Sequence, residues 1–365
     1  MNFVFDAEDF KNKPRGIVKT TLCLYRACQR LMPELRFIAL ARKPLAVELP
    51  DGFQVAHYGP DTQRDLWRFI MFNAYLTFNR SAFVHFPSNG LIPKLLSNQN
   101  VILTLHDVLP IAVSGYFTDE AKKKRYLIRH QNDIDRAKIL FTVSEYSKQD
   151  IMKYFTVRTE PIVLYNAPTL ELETDTPDYQ NAVGEEYYLY TGGYDRRKGL
   201  VQLLRVFLDL HQTGRLSSRL YLTGTRSNFS DEFTLLLKTA LDAGIVKELG
   251  YVSDQELLSL LRNARALIYP SSYEGFGMPP LEAMNAGCPV ITTRATSIPE
   301  ICGDAVLYVD PDDPRDFANT IVSFHGNERL RKDLISRGTE RAIRFSWDRT
   351  AGVFLEHIMR LHSRS

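Results

Sequence analysis

Short apolar runs alternate with longer amphipathic stretches along most of the chain. Asn2–Phe5, Phe37–Ala41, Phe53–Tyr58, Phe83–Phe86, Val101–Leu105 and Ile139–Val143 read as strands, several of them apolar at consecutive positions. That pattern suits parallel strands covered on both faces. Helical patterns lie between them. Gly16 opens one in which Ile17, Thr21, Leu24, Cys28 and Leu31 fall near one face. Gln63–Phe78 forms another, with Trp67, Phe69, Ile70, Tyr75 and Leu76 predicted in the core. Ser144 suits the N-cap of a helix over Glu145–Phe155. After the strand that starts at Ile162 the pattern lapses into a polar, acidic stretch, Thr169–Glu186, which follows Pro168 and contains Pro177. It reads as a linker, and places a domain boundary near 170.

The alternation then restarts. Tyr187–Tyr190, Arg219–Thr223, Val246–Leu249, Ala266–Tyr269, Val290–Thr292 and Ala305–Val309 read as strands. Leu200–Leu210 and Asp254–Ala264 read as helices, the second opened by a capping box of Ser253 and Glu256. The last segment, Trp347–Leu361, is amphipathic. Repeated strand–helix alternation predicts an α/β protein, here with domains over 1–170 and 171–346.

Composition adds limits. The 365 residues are 44% hydrophobic and 24% charged, with a formal charge of +2. This is a globular balance, without the field expected of a nucleic-acid binder. Cys23, Cys28, Cys288 and Cys302 have no CxxC spacing and read as reduced thiols. The first residues lack the basic and apolar regions of a signal peptide, and no apolar run is long enough to span a bilayer. The expectation is a cytoplasmic protein.

The candidate chemistry centres on Tyr269–Thr293. A strand end is followed by Glu274-Gly-Phe-Gly-Met, then Pro279 and Pro280, which suit a first helical turn. Gly275 and Gly277 let backbone approach a ligand closely. A helix start attracts anions. Glu282, predicted in the same first turn, lies eight positions after Glu274. Two carboxylates beside an anion site suit a ligand with phosphates and vicinal hydroxyls, because an ionised carboxylate only accepts hydrogen bonds. A nucleotide sugar is such a ligand.

Glu274-x7-Glu282 within EGFGMPPLEAMNAGCPVI resembles the signature of the family 4 retaining glycosyltransferases. That resemblance implies the GT-B architecture, two Rossmann-like domains facing each other across a cleft. Other loops agree with it. Thr191-Gly-Gly-Tyr-Asp-Arg-Arg-Lys-Gly follows a strand, and Arg197 and Lys198 match the family's diphosphate-binding pair. Many members have arginine where this chain has Gly193, which leaves Arg196 and Arg197 both open as the bidentate contact.

The resemblance places Gly16, with Arg15, beside the diphosphate. It places Tyr251 and Val252 by the nucleobase, although Tyr251 also reads as a packed aromatic. It puts Phe276, Gly277 and Met278 along the donor, and His106 of His106-Asp-Val-Leu-Pro near the transferred sugar. Asp107 caps the next turn or orients His106. The final helix, 347–365, would cross back onto the first domain.

The implied reaction moves a hexose, mannose first, from a GDP- or UDP-sugar to a hydroxyl of a glycan or lipid-linked acceptor, with anomeric configuration retained. Glu274→Ala is expected to abolish transfer with the fold intact. No separate cofactor or metal is implied. Asp133-Ile-Asp135 and Asp310-Pro-Asp312 have DxD spacing in unsuitable contexts. Lys122, Lys123, Lys124, Arg125 and Arg129 form a basic run that suits either a solvated helix face or peripheral contact with anionic lipid. A nucleotide-sugar epimerase or oxidoreductase would want GxGxxG after the first strand, which is absent. A non-catalytic nucleotide-sugar-binding protein would bind without turnover.

Overall fold

The computed structural model describes residues 1–11, 16–57, 66, 68–78, 83–88, 92–93, 100–172, 185–225 and 230–363. Tyr58, Trp67 and Arg15, all named above, lie outside them. The chain divides into two compact units. Unit 1 is Met1–Ala167 with Ser346–Ser365, and unit 2 is Pro168–Phe345.

Among the described residues, unit 1 has a seven-stranded sheet in the order β3-β2-β1-β4-β5-β6-β7. The strands are β1 (Asn2–Asp6), β2 (Arg36–Ala41), β3 (Gln54–His57), β4 (Phe83–Phe86), β5 (Val101–Thr104), β6 (Ile139–Thr142) and β7 (Ile162–Val163). Their pairings are parallel, for example Phe3 opposite Phe37 and Phe83. Successive β1 residues feed opposite faces, as the strand period requires. Phe3 and Phe5 join one apolar cluster and Val4 the other. The first cluster includes Ala351, Phe354, Leu355 and Ile358 of the helix Trp347–His362. Phe354 sits 5.8 Å from Phe3 and 5.1 Å from Phe141, ring to ring.

Unit 2 has a six-stranded sheet among the described residues, in the order β10-β9-β8-β11-β12-β13. Its strands are β8 (Tyr187–Thr191), β9 (Arg219–Thr223), β10 (Val246–Gly250), β11 (Leu267–Tyr269), β12 (Val290–Thr293) and β13 (Leu307–Val309), again paired in parallel. The strand order runs outward in opposite directions from the β8–β11 pair. The chain leaving β8 therefore continues to β9 on one side of this pair and the chain leaving β11 to β12 on the other, and such a switch point is where open α/β sheets hold ligands.

Several helices match their signals. Ser144 accepts a hydrogen bond from Ser147 N–H at 3.0 Å. Ser253 and Glu256 form the complete capping box. The 63–78 pattern needs correction. Tyr75 and Leu76 are buried, but Phe69 and Ile70 are 41% and 48% exposed. Arg68–Phe72 winds as a π-helical turn, so the 3.6-residue period assigns those side chains to the wrong face. At the ends of the helix Gly16–Leu31, Ile17 and Leu31 are also exposed, while Thr21, Leu24 and Cys28 are buried.

Candidate active site

The loop after β8 is built to hold its basic residues close to the sheet. Asp195 accepts from Arg197 N–H at 3.0 Å and caps the short 3-10 turn Arg196–Lys198. Gly199 ends that turn at φ 67°, and a Cβ there would lie 2.3 Å from the Pro270 carbonyl oxygen. Its missing side chain thus allows the loop to rest on the loop after β11. Ser272 N–H donates to Arg197 O at 2.8 Å and laces the two together. Gly224 does the same for β9: a Cβ would meet the Gly192 carbonyl oxygen at 1.9 Å.

The second loop carries Glu274, fixed by its own backbone. Thr296 Oγ1 accepts from Glu274 N–H and donates to Glu274 O, each at 2.9 Å. Ser297 donates to Glu274 O at 2.9 Å and to Phe276 O at 2.8 Å. Thr296 is at φ 51°. A β-branched residue there is strained by about 1–3 kcal/mol, and the strain falls where the carboxylate is positioned.

The two loops bring their charges to one atom. Glu274 Oε1 accepts from Arg197 Nη1 at 2.7 Å, Lys198 Nζ at 2.6 Å, Tyr269 O–H at 2.8 Å and Ser271 O–H at 2.6 Å. Lys198 Nζ also donates to the Tyr269 hydroxyl and lies 4.7 Å from that ring's centroid. Arg197 Nη1 further donates to Tyr273 O at 2.7 Å. Among the described residues these four bonds all fall on Oε1. The side chains of Lys198, Glu274 and Arg197 are only 9%, 12% and 19% exposed.

Burial alone would push the Glu274 carboxyl up. Lys198 and Arg197 outweigh it and hold the group below the ordinary carboxylate range. Burial pulls the Lys198 ammonium below the usual lysine value, with Glu274 opposing. The arrangement is a nearly buried cationic pair with an internal anion.

The helix following this loop spans Met278–Asn285, with Gly277 as its N-cap at φ 109°. Glu282 is therefore in the second turn, not the first. The left-handed Gly277 ends the loop before the prolines, which moves the helix start back. Since Pro279 and Pro280 have no N–H, Met278 alone of the first three helical residues can donate to an anion. Glu282 is buried. It accepts at Oε1 from Thr169 N–H at 2.6 Å and Thr169 O–H at 2.9 Å, and at Oε2 from Leu170 N–H at 3.2 Å. The Phe276 ring is 4% exposed and meets Phe345 edge-on at 5.9 Å. Arg196 and Gly193 are exposed, and nothing lies within 4 Å of a Cβ built on Gly193. Tyr251 is 56% exposed just ahead of the helix Asp254–Asn263, with Val252 half-buried beside it.

In unit 1, Gly16 begins its helix with open space around it. His106 follows β5 and is buried, with Nε2 2.8 Å from the Pro87 carbonyl oxygen. That bond places the neutral ring's proton on Nε2. Burial depresses the His106 pKa, opposed by the Pro87 carbonyl and Asp107. Asp107 caps the next turn through Leu109 N–H at 3.0 Å. Behind His106, His85 lies between Tyr25 O–H at 2.6 Å and the Thr104 hydroxyl at 2.8 Å. Burial, and then His106, pull the His85 pKa down to about 3. His85, Thr104, His106 and Asn166 help line a cavity of about 20 Å³, room for one water molecule.

The DxD pairs are occupied locally. Asp133 accepts from Ile92 N–H at 3.0 Å, Asp135 from Gln131 at 3.1 Å, and Asp310 from Asp312 N–H at 2.9 Å. The basic run lies on the helix Glu120–Arg136. Lys122, Lys124 and Arg125 are exposed, Lys123 is 3.6 Å from Glu120, and Tyr116 and Ile128 expose apolar surface. Among the described residues no helix is long and apolar enough to cross a membrane.

Tyr269, Ser271, Thr296, Ser297 and Thr169 were not singled out from sequence. Tyr269 carried a signal, a phenol at the end of a buried strand. The others carried none before the fold was known.

Two parallel α/β units, the second with paired cations and a carboxylate at its switch point, make up the architecture of the GT-B fold. The chain belongs to the group 1 glycosyl transferases, whose family model matches residues 173–341. It is 30% identical over 319 residues to O-antigen chain mannosyltransferase B of Escherichia coli, covering 85% of this chain and 78% of that one. It is 22% identical over 274 residues to the serotype-specific mannosyltransferase WbdA of Escherichia coli, 71% of this chain but only 33% of that longer protein. Among solved structures, Anabaena HepE in complex with UDP and glucose superposes with a TM-score of 0.75 at 18% identity, over 99% of this chain and 100% of that one.

Proposed function

We propose that this protein is a retaining, metal-independent hexosyltransferase. It moves mannose from GDP-mannose, with UDP-sugars as second choice, to a hydroxyl of a glycan or lipid-linked acceptor. The observation that carries the reading is the convergence of Arg197 and Lys198 on Glu274 in a nearly dry site. A donor diphosphate takes over the two cations, which stabilise the charge that grows as the glycosidic bond breaks. Glu274 then accepts from hydroxyls of the transferred sugar and Glu282 from the ribose. Tyr251 and Val252 lie beside the base, with Gly193, Phe276, Gly277 and Met278 contributing backbone along the donor. In unit 1, neutral His106 serves a sugar hydroxyl, and Gly16 supports the diphosphate.

The choice of mannose rests on the O-antigen mannosyltransferase relative. Retention is assigned to attack on the face the diphosphate leaves, with a departing phosphate oxygen taking the acceptor's proton. No second carboxylate nucleophile is then needed. The exposed Lys122, Lys124 and Arg125, beside exposed Ile128, suit peripheral contact with anionic lipid.

The test is turnover of radiolabelled GDP-, UDP- and ADP-sugars with and without chelator, followed by NMR of the product's anomeric proton. GDP release from GDP-mannose, chelator-resistant and with retained configuration, is the expected result. Turnover of none of the donors would remove the enzyme reading. A strict Mn²⁺ requirement would remove metal independence alone.

A further inference from the structure

We propose that Thr169 is a positioning residue for donor binding, acting through Glu282. The inference rests on the reading that Glu282 receives the ribose. Thr169 and Leu170 follow Pro168 at the start of unit 2, and Thr169 lies 113 positions before Glu282 in sequence. Even so, they supply three hydrogen bonds to one buried carboxylate. Both donors of Thr169 go to Oε1, at 2.6 and 2.9 Å, and Leu170 N–H goes to Oε2 at 3.2 Å.

The geometry follows from the local fold. Side chains on a helix lean toward its N-terminus, so Glu282 in the second turn reaches back toward the segment at 169–170. The terminal torsion of a glutamate is broad and only roughly two-fold. A backbone amide and a hydroxyl from a single residue, both fixed on one oxygen, remove that freedom. The plane of the carboxylate is therefore set before any ligand arrives. A pair of vicinal hydroxyls is recognised by a carboxylate only in a restricted orientation, and orienting it in advance cuts the ordering cost of binding. Thr169 does not touch the ligand in this account. It holds the group that does.

The experiment compares GDP with 2′-deoxy-GDP, and UDP with 2′-deoxy-UDP, by calorimetry on the full chain. The tighter-binding base sets the scale. The parent protein should prefer the ribonucleotide. Thr169→Val keeps the shape and removes the hydroxyl, and should lose about fivefold of that preference, the weight of one hydrogen bond. Thr169→Ser should retain it. A general packing defect would weaken both nucleotides alike and leave their ratio unchanged, and that result overturns the inference.

Tighter ribonucleotide binding by Thr169→Val also overturns it, since Thr169 would then compete with the ligand. Glu282→Gln losing the preference while Thr169→Val keeps it would defeat the role of Thr169 and leave the ribose reading standing. A parent protein with no ribose preference, or no binding of either nucleotide, would remove the ribose reading and the inference with it.

Discussion

Replacing Glu274 by alanine tests the physical basis of the site most directly. Sequence alone treats that residue as a ligand contact whose loss spares the fold. The structure gives it a second role. It is the counter-ion of Lys198 and Arg197, and Oε1 accepts four hydrogen bonds. Glu274→Ala strands two nearly buried cations and leaves the Tyr269 and Ser271 hydroxyls without that acceptor. Breaking a buried pair by removing one partner costs about 3–5 kcal/mol. For a unit of this size that lowers the melting temperature by roughly 10 °C. Glu274→Gln keeps an oxygen for the donors and loses only the charge, so it should fall by clearly less.

Adding inorganic pyrophosphate supplies the missing anion. It should raise the melting temperature of Glu274→Ala more than that of the parent, where the ligand must displace the internal carboxylate first. Differential scanning calorimetry reads both effects. An alanine variant that melts with the parent, or that gains no more than the parent from pyrophosphate, would falsify the counter-ion argument.

Other outcomes follow from the same coordinates. Lys198→Ala should lower kcat by about 10²–10³ with a smaller change in KM, since its charge matters most as the bond breaks; steady-state kinetics with whichever labelled donor turns over will show it, and an effect confined to KM would refute it. Tyr269→Phe removes the hydroxyl that joins Lys198 to Glu274 and should cost about 1 kcal/mol in a urea melt, and an unchanged midpoint would count against the bridge. Gly199→Ala puts a Cβ 2.3 Å from Pro270 O at a positive φ, so it should weaken GDP binding as the loop shifts; unaltered affinity would mean that the loop contact is dispensable. His85 has a folded pKa of about 3, below its unfolded value. Its neutral burial therefore stabilises fully above about pH 6.5, and acidification removes about 1.4 kcal/mol per pH unit as the unfolded chain takes up a proton that the folded chain refuses. Urea melts should show stability falling from pH 7 to pH 5, most steeply below about pH 6, and His85→Gln should make the fall shallower, with buried His106 left to contribute in the same direction.

The strands were legible because both faces of each sheet are covered, which leaves apolar runs such as Phe3-Val4-Phe5 that admit few other readings. The acid pair and the Arg197–Lys198 hook were legible as chemistry. The direct pairing of Glu274 with Arg197 and Lys198 was not, since it depends on β8 lying beside β11, a pairing that linear spacing does not encode. The link from Thr169 to Glu282 was hidden for the same reason. Tyr269 reads in the sequence only as a strand end, because a phenol there serves packing and hydrogen bonding alike. Phe69 and Ile70 were misassigned by a helical period that a π-helical turn does not obey.

The helix Trp347–His362 gives unit 1 an unusual assembly order. Phe354 completes an aromatic cluster with Phe3 and Phe141, yet it is translated only after all of unit 2. During synthesis the earlier unit emerges first and waits with an open seam, while the later one, continuous in sequence, can finish folding. A chaperone should therefore engage nascent chains at the Phe3–Phe141 surface, and a stop codon before Trp347 should leave that surface exposed and the product prone to aggregation.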